Sequence, residues 1–303
     1  MDTAKPNLGE IIGATIITPD IEETIKPYIE IFEYHVISNS IISDQLADLW
    51  NTKAHLKSES KIIAPKNRTY PWIRFIQAIE IADYKAMTSY GWHSLEINVQ
   101  SVNEIPNKLA NSNLKIIGEP HQLGMSKSIR AMQVIGYAKE VLYLTEIPND
   151  GSVNHLPIAE NFIDKIFIVP LGTSNMDETR EWYLKNFPNI KRGLEARDIK
   201  MPLISNALAI DPNTKCSICT IRLPNKSSIE IDDYPDAASK RDFLPNSLPP
   251  GVSIVSFEVD SLDKVKVPFI SEKSVIMDSP YSNSRVGVIR GSASEIIELV
   301  ERK

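Results

Sequence analysis

The chain is poor in the residues that most often announce a function. Of 303 residues only two are cysteine and five are histidine, so cysteine chemistry reduces to one C-x-x-C and imidazole metal ligands are scarce. No stretch reaches the roughly eighteen apolar residues of a membrane-spanning helix. No basic run offsets the net charge of −6, which argues against a partner held by its phosphate backbone. Neither G-x-G-x-x-G, a Walker loop nor a nucleophile elbow is present, which leaves dinucleotide, nucleotide and serine-hydrolase readings without support. The segment Met1–Glu10 has one lysine and no apolar centre, unlike a secretory signal. A cytoplasmic protein that engages neither nucleic acid nor membrane is the expectation.

The one C-x-x-C, Cys216 and Cys219, lies in Cys-Ser-Ile-Cys-Thr-Ile-Arg-Leu. That texture reads as a strand, where residues three apart point to opposite faces. With no second pair to complete a tetrahedral site, a structural role is the simpler reading.

What the chain does have is a repeat. Tyr90-Gly-Trp-His-Ser-Leu-Glu-Ile-Asn-Val-Gln-Ser-Val102 returns about 160 residues later as Pro250-Gly-Val-Ser-Ile-Val-Ser-Phe-Glu-Val-Asp-Ser-Leu262. A second pair runs in step with it. Ile11–Asp20, β-branched, precedes a helical pattern over Ile21–Phe32, and Phe162–Pro170 precedes another over Met176–Phe187. Further strand-like runs follow: Trp72–Ile79, Ala131–Ile135, Val141–Ile147, Ser217–Leu223, Ser228–Asp232, Arg285–Ile289 and Glu295–Val300. The unit is β, α, then several β, and four copies fit, at about 8–85, 88–150, 160–236 and 249–303. The polar, turn-rich Pro148–Pro157 divides the chain near its middle and reads as a linker.

Repeated modules of this texture resemble the vicinal oxygen chelate superfamily, which includes glyoxalase I, type I extradiol dioxygenases and the bleomycin and fosfomycin resistance proteins. The carrying stretches are Val255–Asp263, similar to the family's opening strand, and Arg290–Glu301, similar to its closing hairpin and last strand. Gly136–Glu146 and Leu223–Asp232 match that closing pattern more loosely. The resemblance implies an α+β fold of four βαβββ modules paired into two curved-sheet cups. Residues 1–150 would form an N-terminal half of two modules and 158–303 a C-terminal half of two. It leaves a homodimer open, because family modules pair within or between chains.

The resemblance also implies where metal ligands would project. The opening-strand positions read Gly13, Ser94, Asp164 and Ile254, and the closing-strand positions Gln77, Tyr143, Glu230 and Glu298. The extradiol relatives need two imidazoles and a carboxylate, and none of the eight is histidine. His93 is one place away, but the alternation Leu95, Ile97, Val99 points Ser94, Glu96 and Asn98 inward instead. The usual histidine-based metal site is therefore not expected. The carboxylates Asp164, Glu230 and Glu298 form an alternative set that would suit a hard divalent ion.

The first half thus offers a polar cup of Gln77, Ser94, Glu96, Asn98 and Tyr143. A carboxylate on an inner sheet face is costly unless paired or used, which makes Glu96 the candidate base, with Tyr143 and His93 as further catalytic candidates. Gln77, Ser94, Asn98, Arg130 and Trp92 are candidate substrate contacts, Arg130 because its fork suits a carboxylate and Trp92 as an aromatic wall. A face merely open to solvent explains the same pattern. The expected function is small-molecule enzymology on an apolar or aromatic carbonyl compound, by proton-transfer, isomerase or lyase chemistry and without a required cofactor. A non-catalytic binder of the resistance type and a metal-dependent dioxygenase are the alternatives.

Overall fold

The computed structural model describes all residues except 1–4, 81, 82, 125, 127 and 303, so the first four residues of the Met1–Glu10 segment lie outside it. Module one runs β1 (Leu8–Thr18), α1 (Ile21–Glu30), β2 (His35–Ile41), α2 (Asp44–Leu49), β3 (Glu59–Ala64) and β4 (Trp72–Gln77). Module two runs β5 (Gly91–Trp92), β6 (Ser94–Val99), α3 (Ile105–Leu109), β7 (Lys115–Gln122), β8 (Arg130–Ile135) and β9 (Val141–Glu146). Module three follows with β10 (Ile163–Thr173), α4 (Met176–Asn186), β11 (Lys191–Lys200), α5 (Pro202–Ala207), β12 (Lys215–Arg222) and β13 (Ser228–Asp233). Module four has β14 (Gly251–Val259), β15 (Ser274–Ile276), β16 (Ser284–Arg290) and β17 (Ile296–Glu301). In place of a helix it has one 3₁₀ turn, Leu262–Lys264. Pro268 lies a few residues on, and its missing N–H and ring clash would break a helix continuing through it.

The duplication is preserved down to single hydrogen bonds. Asp20 caps α1 by accepting from the Glu23 amide at 3.0 Å, and Asn175 caps α4 by accepting from Glu178 at 3.0 Å. Across each cap, a threonine hydroxyl before it pairs with one in the first turn of the helix, Thr18 with Thr24 at 2.6 Å and Thr173 with Thr179 at 2.8 Å. Gly91 and Gly251 open the corresponding strands with φ of +103° and +72°, a region that favours glycine.

The modules do not pair within the halves. Strand order is β15-β16-β17-β14-β1-β4-β3-β2 in an eight-stranded sheet, and β11-β12-β13-β10-β6-β9-β8-β7 in a nine-stranded one, where β5 adds to β10. Module one therefore shares a sheet with module four, and module two with module three. The expected first-half cup combining Gln77 with Glu96 does not exist, because the two residues lie in different sheets.

The halves survive in another layer. Tyr28 on α1 donates to the buried Glu140 of the β8–β9 hairpin at 3.0 Å, and Tyr183 on α4 donates to the buried Glu295 before β17 at 2.7 Å. These equivalent bonds tie module one to two and three to four, so the four modules close into a ring. Burial pushes both glutamic acids up to about 7. The main apolar core lies between the sheets, where Leu95, Ile97 and Val99 of β6 and Val255, Phe257 and Val259 of β14 join one cluster with Tyr28, Phe32, Tyr183 and Phe187. The segment read as a linker is partly internal: Val153 and Leu156 pack with Phe167 and Ile168.

Candidate functional site

The inner face of the nine-stranded sheet carries a cavity of about 600 Å³. Four strands of the sheet contribute Glu96 on β6, Gln133 on β8, Tyr143 on β9 and Glu230 on β13, and His121 on β7, Lys200 on β11 and Asn206 on α5 also line it. Apolar side chains from β7, β11, the start of α5 and the preceding Met201, among them Ile117, Ile199, Leu203 and Ile204, form its walls. Register explains the convergence. Glu96 pairs with Tyr143, and Tyr143 with Gln133, so their side chains share one face.

Ser94, Glu96 and Asn98 share the concave face of β6 and only Glu96 of the three lines the cavity, while His93 also turns to that face. Trp92 faces Leu171 whereas Glu96 faces Ile168, so four residues on one strand oppose three on the other. This bulge turns His93 inward beside Ser94. Its Nε2 lies 2.9 Å from Asp232 Oδ2 and its Nδ1 3.1 Å from Ser94 Oγ. The rings of Tyr143 and Tyr234 flank it, with centroids at 6.3 and 5.6 Å. The order Ser94, His93, Asp232 matches that of a nucleophilic triad. Ser94 is fully buried and does not line the cavity, so its hydroxyl has no substrate to meet.

Glu96 is 6% exposed and accepts from Thr145 Oγ1 at 2.6 Å. Burial pushes its carboxyl up to about 7, with the nearby Asp232 charge adding to the rise and the Thr145 bond opposing it. Glu230 is raised well above the usual carboxylate range by burial, then by Asp232 and Glu96. The phenol of Tyr143 is raised for the same reasons and stays protonated. Among the described residues, the side chains of Gln133, Tyr143 and Glu230 have no hydrogen-bond partner from the chain. Gly118 makes room for one of them, since a Cβ there would sit 1.9 Å from Gln133 Oε1.

The other expected contacts lie elsewhere. Gln77 caps the start of α1, bonding the Pro19 carbonyl and accepting from the Ile21 amide at 3.4 Å. Trp92 precedes the bulge and so faces the inter-sheet core, donating to the Ile296 carbonyl at 2.8 Å. Arg130 is out of phase with the cavity residues Ala131 and Gln133, and donates to Asn103 at 2.9 Å. Asn98 is on the inner face but anchors backbone, accepting from the Lys165 amide at 3.0 Å and donating to the Pro157 carbonyl at 3.3 Å. Asp232, Thr145 and Tyr234 were not anticipated. The alternation Ser228-Ile-Glu-Ile-Asp232 carried the signal for Asp232, which shares a face with Glu230.

The alternative set Asp164, Glu230 and Glu298 is dispersed. Asp164 accepts from Arg68 Nε at 3.2 Å and from the Glu160 amide at 3.0 Å. Glu298 belongs to the other sheet. Among the described residues no three His, Cys, Asp or Glu side chains converge to hold a metal ion. Both ring nitrogens of His93 are engaged, so the donor set does not fit the two imidazoles and a carboxylate of the iron relatives.

The inner face of the eight-stranded sheet is filled. Arg74, 1% exposed, lies 5.0–5.1 Å from the ring centroids of Trp50, Trp72 and Tyr281. Tyr281 accepts from Arg74 at 2.7 Å and bonds both oxygens of Glu298, at 3.1 and 3.0 Å. Trp50 Nε1 and Ser256 Oγ complete the carboxylate at 2.8 and 2.7 Å.

Two paired, curved sheets of βαβββ modules, one with an open cup, give the chain a fold similar to that of solved glyoxalase and dioxygenase structures. Glyoxalase I of Zea mays is similar over 96% of this chain and 92% of its own, at 13% identity and a TM-score of 0.66. A proposed dioxygenase of Bacillus subtilis is similar over 98% of this chain and 86% of its own, at 10% identity and a TM-score of 0.63. No protein-family model matches the sequence, and no curated protein matches it.

Proposed function

We propose that the protein is a small-molecule enzyme working in the open cup, moving a proton on an apolar carbonyl compound. One observation carries the reading: Glu96, Gln133, Tyr143 and Glu230 converge in a largely apolar cavity that His121, Lys200 and Asn206 also line, and among the described residues Gln133, Tyr143 and Glu230 have no hydrogen-bond partner from the chain. Ionised Glu96 takes a proton from carbon beside the carbonyl, and its carboxyl holds it. The Tyr143 hydroxyl and the protonated Glu230 donate hydrogen bonds to the developing enolate oxygen, an arrangement suited to a dry site. With a β,γ-unsaturated substrate the enolate is a dienolate, so return of the same proton to the γ carbon moves the double bond into conjugation and completes an isomerisation, and no co-reactant is consumed. The aliphatic wall selects an apolar body.

The test is Glu96→Gln, expected to lower turnover of a carbonyl substrate about 10³-fold without unfolding the protein. Unchanged turnover removes Glu96 from the reaction. Tight binding with every ligand recovered intact makes the protein a binder of the resistance type. A stoichiometric transition metal in protein purified without chelator overturns a reaction carried by side chains alone. We place this activity in the cytoplasm, in keeping with two free, buried cysteines. The cysteines are structural, and burial pushes the Cys219 thiol up to about 12.

A further inference from the structure

A second, smaller cavity of about 290 Å³ opens where β5, β14 and β17 meet, away from the residues of the open cup. Its cations are Lys240, Arg241 and Arg290, and among the described residues none of the three has an acidic partner. Arg241 is held rigidly by neutral oxygens. It donates to Ser89 Oγ at 3.0 Å, to the Pro250 and Val252 carbonyls at 3.3 and 3.1 Å, and to the Trp92 carbonyl at 2.7 Å. These acceptors, with the Tyr84 ring 5.7 Å from the guanidinium carbon, orient the group without supplying an opposite formal charge. Arg290 donates only to the Ser294 carbonyl, at 3.3 Å, and the Lys240 side chain is exposed. The acid that reaches the cavity, Glu295, is already bonded to Tyr183 and to the Ala293 amide at 2.7 and 2.9 Å. Most of the remaining wall is apolar, with Pro249 and Val252 on one side and Phe243, 40% exposed, at the rim.

We infer that this cavity binds a small organic anion, a carboxylate on an apolar ring or branched chain, with its charged end toward Arg241 and its body against Val252 and Phe243. The site needs both features: the fixed guanidinium supplies attraction and direction, and the apolar wall supplies area. It adjoins the open cup in sequence, since Arg241 grips the carbonyl of Trp92 and the next residue, His93, bonds Asp232.

Titration of the full chain with benzoate, followed by protein-observed NMR, tests the assignment. Benzoate is expected to bind saturably and about tenfold tighter than benzyl alcohol, which keeps the ring without the charge. It should also bind about tenfold tighter than inorganic phosphate, which keeps the charge without the ring. The double variant Lys240→Ala, Arg290→Ala, confined to exposed side chains, should weaken benzoate about tenfold, whereas Glu96→Gln should leave its affinity unchanged. No saturable binding, equal binding of benzyl alcohol or phosphate, indifference to the double variant, or sensitivity to Glu96→Gln each overturns it.

Discussion

The two cups are built from the same module and treat an equivalent glutamate in opposite ways. Glu298, on the closing strand of module four, is met by an indole, a serine hydroxyl and a tyrosine, with the Arg74 cation one bond further on. Glu230, on the closing strand of module three, is met by nothing from the chain among the described residues and faces about 600 Å³ of cavity. Two insertions explain the contrast. In module one, α2 carries Leu46, Leu49 and the following Trp50 into the cup and plugs it. In module three, α5 stands at the side as a wall. A carboxyl on this concave face is structural when the chain satisfies its oxygens and available to a ligand when the chain does not.

Matched substitutions sharpen that contrast. Glu96→Gln, with its about 10³-fold loss of turnover, has the largest expected effect. Because Glu96 must be ionised, the wild-type rate should rise with pH through about 7, and a flat kcat/KM profile between pH 5 and 9 would break the assignment.

Glu298→Ala is expected to cost about 3–5 kcal/mol of stability in urea unfolding, because it strands Arg74 and the Trp50 N–H in a dry core. Glu230→Ala should change stability by less than about 1 kcal/mol, since no bond is lost. Equal losses at the two positions would erase the distinction between filled and open cup.

The Tyr–Glu pairs give a pH effect common to both halves. Glu140 and Glu295 sit at about 7 in the folded chain, above the ordinary 4.5, so folding favours their protonated forms. That contribution is complete below pH 4.5 and is lost as pH rises through 7. Stability should therefore fall between pH 5 and 8, and Glu140→Gln should flatten the fall and leave the protein about 1 kcal/mol more stable at pH 8. Chemical denaturation at the two pH values checks this, and a Glu140→Gln protein that follows the wild-type slope refutes it. A small effect on binding is expected from Gly118→Ala, which displaces Gln133 and should raise KM by about threefold with kcat nearly kept.

Much of this architecture was legible as repetition. The internal strands β1, β4, β8, β9, β10, β12, β13, β14, β16 and β17 fall where β-branched runs predict them, within a few residues. The strands missed include β2, β7, β11 and β15, which are the four sheet edges. Edge strands face water and carry charge, as in Lys191-Arg-Gly-Leu-Glu-Ala-Arg-Asp-Ile-Lys200, so their period-2 signal is weak. Module pairing was not legible, because alternation fixes which face a residue takes and not which strand lies beside it. Alternation could place Glu96, Tyr143, Ser94 and Asn98 on the concave face, but not that Ser94 and Asn98 are buried there without lining the cavity. His93 needed the bulge, and Gln77, Trp92 and Arg130 were misplaced by pairing or phase.

The pairing of module one with module four bears on how the chain acquires its shape. Leu8 lies opposite Val259 in the finished sheet, so on the ribosome β1 can pair early with β4 on one edge but waits for almost the whole polypeptide before its other neighbour, β14, exists. Modules two and three are contiguous and can complete the open cup while module four is still unmade, with less chain to close than the other sheet requires. Until then β1 presents an unpaired edge of Ile11–Ile17, the segment most in need of a chaperone during synthesis.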